Sequence, residues 1–119
     1  MQFVEAVEAA DEATMRSMLA ADPALRDRHA DLVTRMAEAR NWPAVRLLIG
    51  LGFGVNEVTA AGATALHHAA AAGELSIARL LVEHGADHAA REPGFNAQPA
   101  GWAQYFKKRE TQKYLESLA

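Results

Sequence analysis

The sequence predicts a mainly α-helical solenoid, about four stacked helix-turn-helix pairs with short β-turn or hairpin fingers between them, in a single domain over residues 1-119. Three observations predict it. The chain resembles itself at offsets of 33 and 34 residues, and a period of that size is the signature of stacked units. Half of the residues are apolar and alanine is abundant, while aromatics make up 7%, which suits closely approaching helices better than a thick sheet core. Apolar residues recur at spacings of three and four in short runs that stop at glycine or proline.

The first unit, near 1-28, reads as two amphipathic helices with Phe3, Val4 and Val7, then Met15, Met18 and Leu19, facing inward, and Asp22-Pro23 as the stop. It lacks the turn that opens the later units, as expected of a cap with one face in water. The second unit, near 29-60, lays Val33, Ala37, Leu47, Leu48 and Gly52 on Leu66, Ala70, Leu80, Leu81 and Gly85 of the third. Asp31 takes the capping place of Thr64, while Thr34, Arg40 and Gly54 stand where the third unit has His67, Gly73 and Asp87.

The third unit, near 61-93, is the clearest. Thr64 suits a helix N-cap because its hydroxyl can accept from an orphaned backbone N–H. Gly73 can end that helix in a left-handed conformation, a second helix presents Ile77, Leu80, Leu81 and His84, and Gly85 stops it. In the fourth unit, near 94-119, Gln98, Pro99, Ala103, Tyr114 and Leu115 fall on Thr64, Ala65, Ala69, Leu80 and Leu81. Pro99 lands at the first helical position, where its missing donor is harmless, and REPGFN before it is a turn-forming stretch.

From Thr64 to Asp87 the chain reads TALHHAAAAGELSIARLLVEHGAD, which resembles the ankyrin repeat at Thr64, Leu66, His67, Ala69, Ala70, Gly73, Ile77, Leu80, Leu81, Gly85, Ala86 and Asp87. The resemblance implies an ankyrin-repeat solenoid that acts as a non-catalytic protein-protein interaction module. It implies that His67, with Thr64 as partner, ties its turn to the neighbouring one. It also implies docking on a concave side lined by the exposed face of each first helix and by the turn tips. Carried over position by position, the first-helix sets are Arg35, Glu38 and Ala39, then His68, Ala71 and Ala72, then Trp102, Tyr105 and Phe106. The tips fall near Arg28 and His29, near Ala60, Ala61 and Ala63, and near Phe95 and Asn96. The third unit offers mainly methyl groups there and the fourth offers rings, and aromatics with arginine dominate binding hot spots. Two readings of Phe95, Trp102, Tyr105 and Phe106 stand side by side: an anchor pocket flanked by Arg35, Glu38 and His68, or rings that seal the last unit's core.

Other chemistry finds little support. His67, His68, His84 and His88 share one unit, but adjacent helical residues diverge by about 100° and His84 and His88 straddle Gly85, so no metal site is expected. Gly50, Gly52 and Gly54 close a helix, whereas phosphate-cradling glycines follow a strand and open one. Glu5, Glu8 and Glu12 read as a solvated face, and no serine, histidine and acid combination is fixed by a motif, so neither catalysis nor a cofactor is expected. The net charge of -3 does not favour nucleic acid, and the basic run Lys107, Lys108, Arg109 and Lys113 reads as a solvated cap. Acids crowd the beginning from Glu5 to Asp31, while every lysine lies between Lys107 and Lys113, so an elongated fold has ends of opposite sign.

Cysteine is absent, which removes disulfides and thiolate sites. No secretory pattern opens the chain and no run approaches the roughly 20 apolar residues that span a bilayer, so a cytoplasmic monomer with no membrane contact is the expectation. Two further hypotheses are a self-associating structural protein that pairs through the aromatic end, and a small histidine-based metal protein or hydrolase.

Overall fold

The computed structural model describes residues 2-119, and among them nine helices form and no strand does. They are α1 (Phe3–Glu8), α2 (Glu12–Ala21), α3 (Leu25–Arg28), α4 (Leu32–Glu38), α5 (Trp42–Gly50), α6 (Ala65–Ala72), α7 (Leu75–Glu83), α8 (Pro99–Tyr105) and α9 (Arg109–Glu116). Helices α1 and α2, α4 and α5, α6 and α7, and α8 and α9 pack as pairs. The first helices stack as α4, α6 and α8, the second helices as α5, α7 and α9, and α1 leans on α5. The result is elongated, 41 × 24 × 21 Å.

Within each pair the same backbone turn recurs. The N–H groups of Asp11, Asn41, Glu74 and Lys108 donate to the carbonyls of Ala6, Met36, Ala69 and Ala103 at 3.0, 2.9, 3.0 and 2.8 Å. The residue before each donor, Ala10, Arg40, Gly73 and Lys107, has φ of 53, 58, 71 and 60°. This is the Schellman closure, in which one left-handed residue satisfies two orphan carbonyls. Only Gly73 adopts that conformation free of Cβ strain, and the other three each bear roughly 1–2 kcal/mol for it. The second helices end alike: Phe53 and Ala86 donate to Leu48 and Leu81 after Gly52 and Gly85, whose φ values are 89 and 94°. The turn at Arg40 therefore keeps its shape without glycine.

The core runs the length of the stack. Leu32, Val33, Leu48, Ile49, Leu66, Ile77 and Leu81 are buried, each contributing about 1.5–3 kcal/mol by leaving water. Between them Ala37, Ala44, Ala65, Ala69, Ala70, Ala78 and Ala103 are buried too, and their small side chains let the backbones approach. At the N-terminal end Phe3, Val7, Met15 and Leu19 are buried, with Val4 and Met18 partly so.

Four local expectations change. The stop at Asp22-Pro23 is followed by an extra turn, α3, because Leu25 reaches the core. Asp31 precedes α4 but makes no side-chain cap, and its carboxylate instead faces Arg35 at 3.8 Å. His84 lies beyond α7 and is exposed, with Nδ1 3.0 Å from the Leu80 carbonyl. The segments between pairs form turns without strand pairing among the described residues, since side chains take up their polar groups. Asn56 shows how: its amide donates to the Gly85 carbonyl at 2.9 Å, and its oxygen accepts from the Asp87 N–H at 2.8 Å.

Candidate functional site

The turn that opens α6 anchors the site. Thr64 caps the helix by accepting from the His67 N–H at 3.3 Å, and His67 Nδ1 accepts from the Thr64 N–H at 3.2 Å, which closes a reciprocal capping box. With Nδ1 an acceptor, the proton sits on Nε2, which donates to the Ala97 carbonyl at 2.8 Å in the next inter-pair segment. The ring is fully buried, and that burial lowers its pKa against the opposing pull of the Ala97 carbonyl and Glu92. Thr34 does the same task one layer earlier, its hydroxyl donating to the Glu57 carbonyl at 2.6 Å. A threonine thus replaces a histidine without loss of the tie.

The segment from 92 to 98 is organised by Glu92, a buried carboxylate that no sequence signal marked. Its oxygens accept from Phe95 N–H at 3.0 and 2.9 Å, from Ala97 N–H at 3.2 Å and from the Trp102 indole at 3.4 Å. Burial pushes its pKa up, but these donors, with the Gly94 N–H, hold the carboxyl below its ordinary value. Phe95 is thereby fixed in place at the surface.

Helix α8 presents the rings. Trp102 is half-buried, edge-on to His67 and His68 with centroids 5.1 and 5.7 Å apart. Phe95, Tyr105 and Phe106 are 84%, 79% and 48% exposed, so they do not seal a core. Tyr105 and Phe106 meet at 5.0 Å in a T-shape. Together with Ala97 and Gly101, the four rings line a groove of about 420 Å³, within the range of small binding clefts.

His68 sits between this groove and α4. Its Nε2 has no hydrogen-bond partner, is shielded from water and lies 3.9 Å from Glu38 Oε1. Burial lowers the His68 pKa, Glu38 raises it, and His67 and Arg40 lower it further. Glu38 also accepts from the Thr59 hydroxyl. A continuous surface strip thus joins Glu38, His68, Trp102, Tyr105 and Phe106. Arg35 and Arg28 are exposed but engaged elsewhere, by Asp31 and Asp22. Ala63 and Ala71 are buried, so they offer little surface to a partner.

Among the described residues no three histidine, aspartate or glutamate side chains converge as metal ligands. No described helix is long and apolar enough to cross a membrane. No curated protein matches the chain. A family model described as ankyrin repeats (3 copies) matches residues 4-115. With that match over most of its length, and with stacked helix pairs closed by the Thr64-His67 turn, the chain belongs to the ankyrin-repeat family, whose members are generally protein-protein interaction modules and generally not enzymes.

Proposed function

We propose that this chain is a non-catalytic module of four repeats, near 1-28, 29-60, 61-93 and 94-119, that docks a protein partner on its concave face. The docking surface is formed by Arg35, Glu38, His68, Trp102, Tyr105 and Phe106 on the first helices, with Arg28 and Phe95 at the tips. Thr64, Leu66, His67, Gly73, Gly85 and Asp87 build the scaffold and stand apart from recognition. One observation carries the reading: Phe95, Tyr105 and Phe106 are held in water around a groove although nothing in the fold requires it. Contiguous exposed apolar surface of this kind marks interaction sites, and rings lose little conformational freedom on binding.

The test compares capture from the native host by the unaltered chain and by an Arg35→Glu, Tyr105→Ala variant, with melting measured for both. Both side chains are exposed, so the fold survives. A partner lost by the variant at unchanged melting supports the reading. A partner retained in full refutes it.

A further inference from the structure

The floor of the aromatic groove has an unusual cause. At offsets of 33 and 34, Thr34, His67 and Gly101 are equivalent positions. Thr34 and His67 reach across to the carbonyls of Glu57 and Ala97, in the segments that lead to α6 and α8. Gly101 reaches nothing. Its backbone does not call for glycine, since its φ is not positive and a Cβ placed there would meet only the Ala97 Cβ, at the ordinary contact distance of 3.4 Å. Glycine inside a helix is also less favourable than alanine. The missing side chain leaves open the space that Phe95, Trp102, Tyr105 and Phe106 surround.

The charges at the rim select an occupant. The Arg91 guanidinium donates to the Asn96 carbonyl at 2.7 Å, beside Phe95, and exposed Lys107 follows Phe106. Neither has an acidic partner among the described residues. Glu92, which bonds the Phe95 N–H and the Trp102 indole behind the groove, is buried beneath its donors, and Glu38 beyond Trp102 accepts from the Thr59 hydroxyl. The groove is apolar inside, and two cations without acidic partners among the described residues neighbour its rings: Arg91, bonded to the residue after Phe95, and Lys107, next to Phe106.

We infer that this groove docks an acidic protein segment that inserts bulky apolar side chains between the rings, and that the absence of a side chain at Gly101 is what admits them. The inference rests on the module reading above and names its partner class. A second copy of the chain fits less well: the three exposed rings offer roughly 400 Å² at about 200 Å² per aromatic side chain, near half of what each partner of a standard interface buries. A short segment needs no more than that.

Random dodecapeptides displayed on phage are selected on the intact chain, and the enriched peptides are measured in solution against Gly101→Leu, Gly101→Ala and Arg35→Glu. Enriched sequences should carry one or two bulky apolar residues flanked by aspartate or glutamate. Their affinity should fall at least tenfold in Gly101→Leu and about threefold to tenfold when salt is raised from 50 to 200 mM, as expected for screened rim charges. Gly101→Ala should melt on the order of 2–4 °C higher while binding more weakly, which separates groove filling from unfolding. A basic or purely polar consensus overturns the inference. So does a fluorescein-labelled oligothymidine binding as tightly as the best peptide, or a dimer in sedimentation that Gly101→Leu dissolves. Peptides that survive Gly101→Leu but are lost in Arg35→Glu overturn the groove while leaving the concave-face module standing. No enrichment at all counts against both.

Discussion

Replacing Arg40 by glycine should make this protein more stable, and the size of the gain can be worked from the repeated turn. Arg40 closes α4 with φ 58°, the conformation in which Gly73 closes α6 with φ 71°. The left-handed region costs a residue with a Cβ roughly 1–2 kcal/mol, and glycine relieves that cost. Glycine also widens the unfolded ensemble, which takes back about 0.4–1 kcal/mol. Arg40 is exposed, and no side-chain hydrogen bond or ion pair of its own is lost among the described residues. The backbone bonds from Arg40 to Ala37 and from Asn41 to Met36 are kept. A net gain of about 0.5–1 kcal/mol follows, a rise of roughly 2–5 °C in melting temperature for a chain of this size. Lys107→Gly should behave alike. The mirror experiment is Gly73→Ala, which introduces the strain and brings a Cβ within 2.8 Å of Lys108 Cδ, for a loss of about 1–2 kcal/mol. Urea unfolding with a constant m value measures all three. Arg40→Gly falling below the parent, or Gly73→Ala matching it, would falsify the claim that one strained turn recurs in each pair.

Further outcomes follow from the site. His67→Ala removes the capping acceptor and the tie to the Ala97 carbonyl, which keeps only the Glu92 N–H at 3.1 Å, so urea unfolding should show a loss of about 2–4 kcal/mol. Thr34→Val keeps the shape but removes the bond to Glu57, and a loss near 1 kcal/mol is expected by the same measurement. His67 and His68 both have pKa values lowered in the fold from an ordinary 6.5, so the unfolded chain takes up protons more readily. Their contribution is complete above pH 6.5 and is lost as the pH falls below it. Unfolding at stepped pH from 7.5 to 5.5 should show this decline, and a His67→Gln, His68→Gln variant should flatten it; stability that climbs on acidification contradicts the assignment. Glu92→Gln puts an amide where three kinds of N–H converge, so hydrogen exchange at Phe95 and Ala97 should quicken while amides of α6 and α7 stay protected.

How much of this was legible depended on whether the deciding physics is local. Thr64, Gly73 and Gly85 could be read because capping and left-handed closure are chemistries of a few consecutive residues, and each carries a characteristic side chain or none, whereas the role of His67 came only from the family resemblance. Leu47, Leu48, Leu80 and Leu81 were readable by spacing, although Leu47 and Leu80 end only partly buried. The closures at Arg40 and Lys107 were not readable: glycine is the signal for φ above zero, and here backbone hydrogen bonds impose it without glycine. Trp102, Tyr105 and Phe106 could be placed on one face by their spacing, but spacing does not say what covers a face, and their exposure is set by how α8 packs on α6 and α9. Glu92 escaped because an acid beside Pro93 and Gly94 looks like an ordinary solvated turn. Its burial arises from donors at Phe95, Ala97 and Trp102 that meet only once α8 has packed on α6.

The side-chain ties between layers have a consequence for how the molecule comes apart. Asn41 to Glu8, Thr34 to Glu57, Asn56 to Gly85 and Asp87, and His67 to Ala97 each fasten a side chain of one tier to the main chain of an adjoining segment. Melting one tier therefore strips polar partners as well as apolar cover from its neighbour, which raises the coupling between adjacent tiers above what greasy contact alone supplies. Such an array opens as a short cooperative train, with the α4–α5 and α6–α7 tiers held most firmly, each clasped from both sides. The groove lies beside α8, and an occupant seated there would stabilise that tier and, through the ties between tiers, its neighbour.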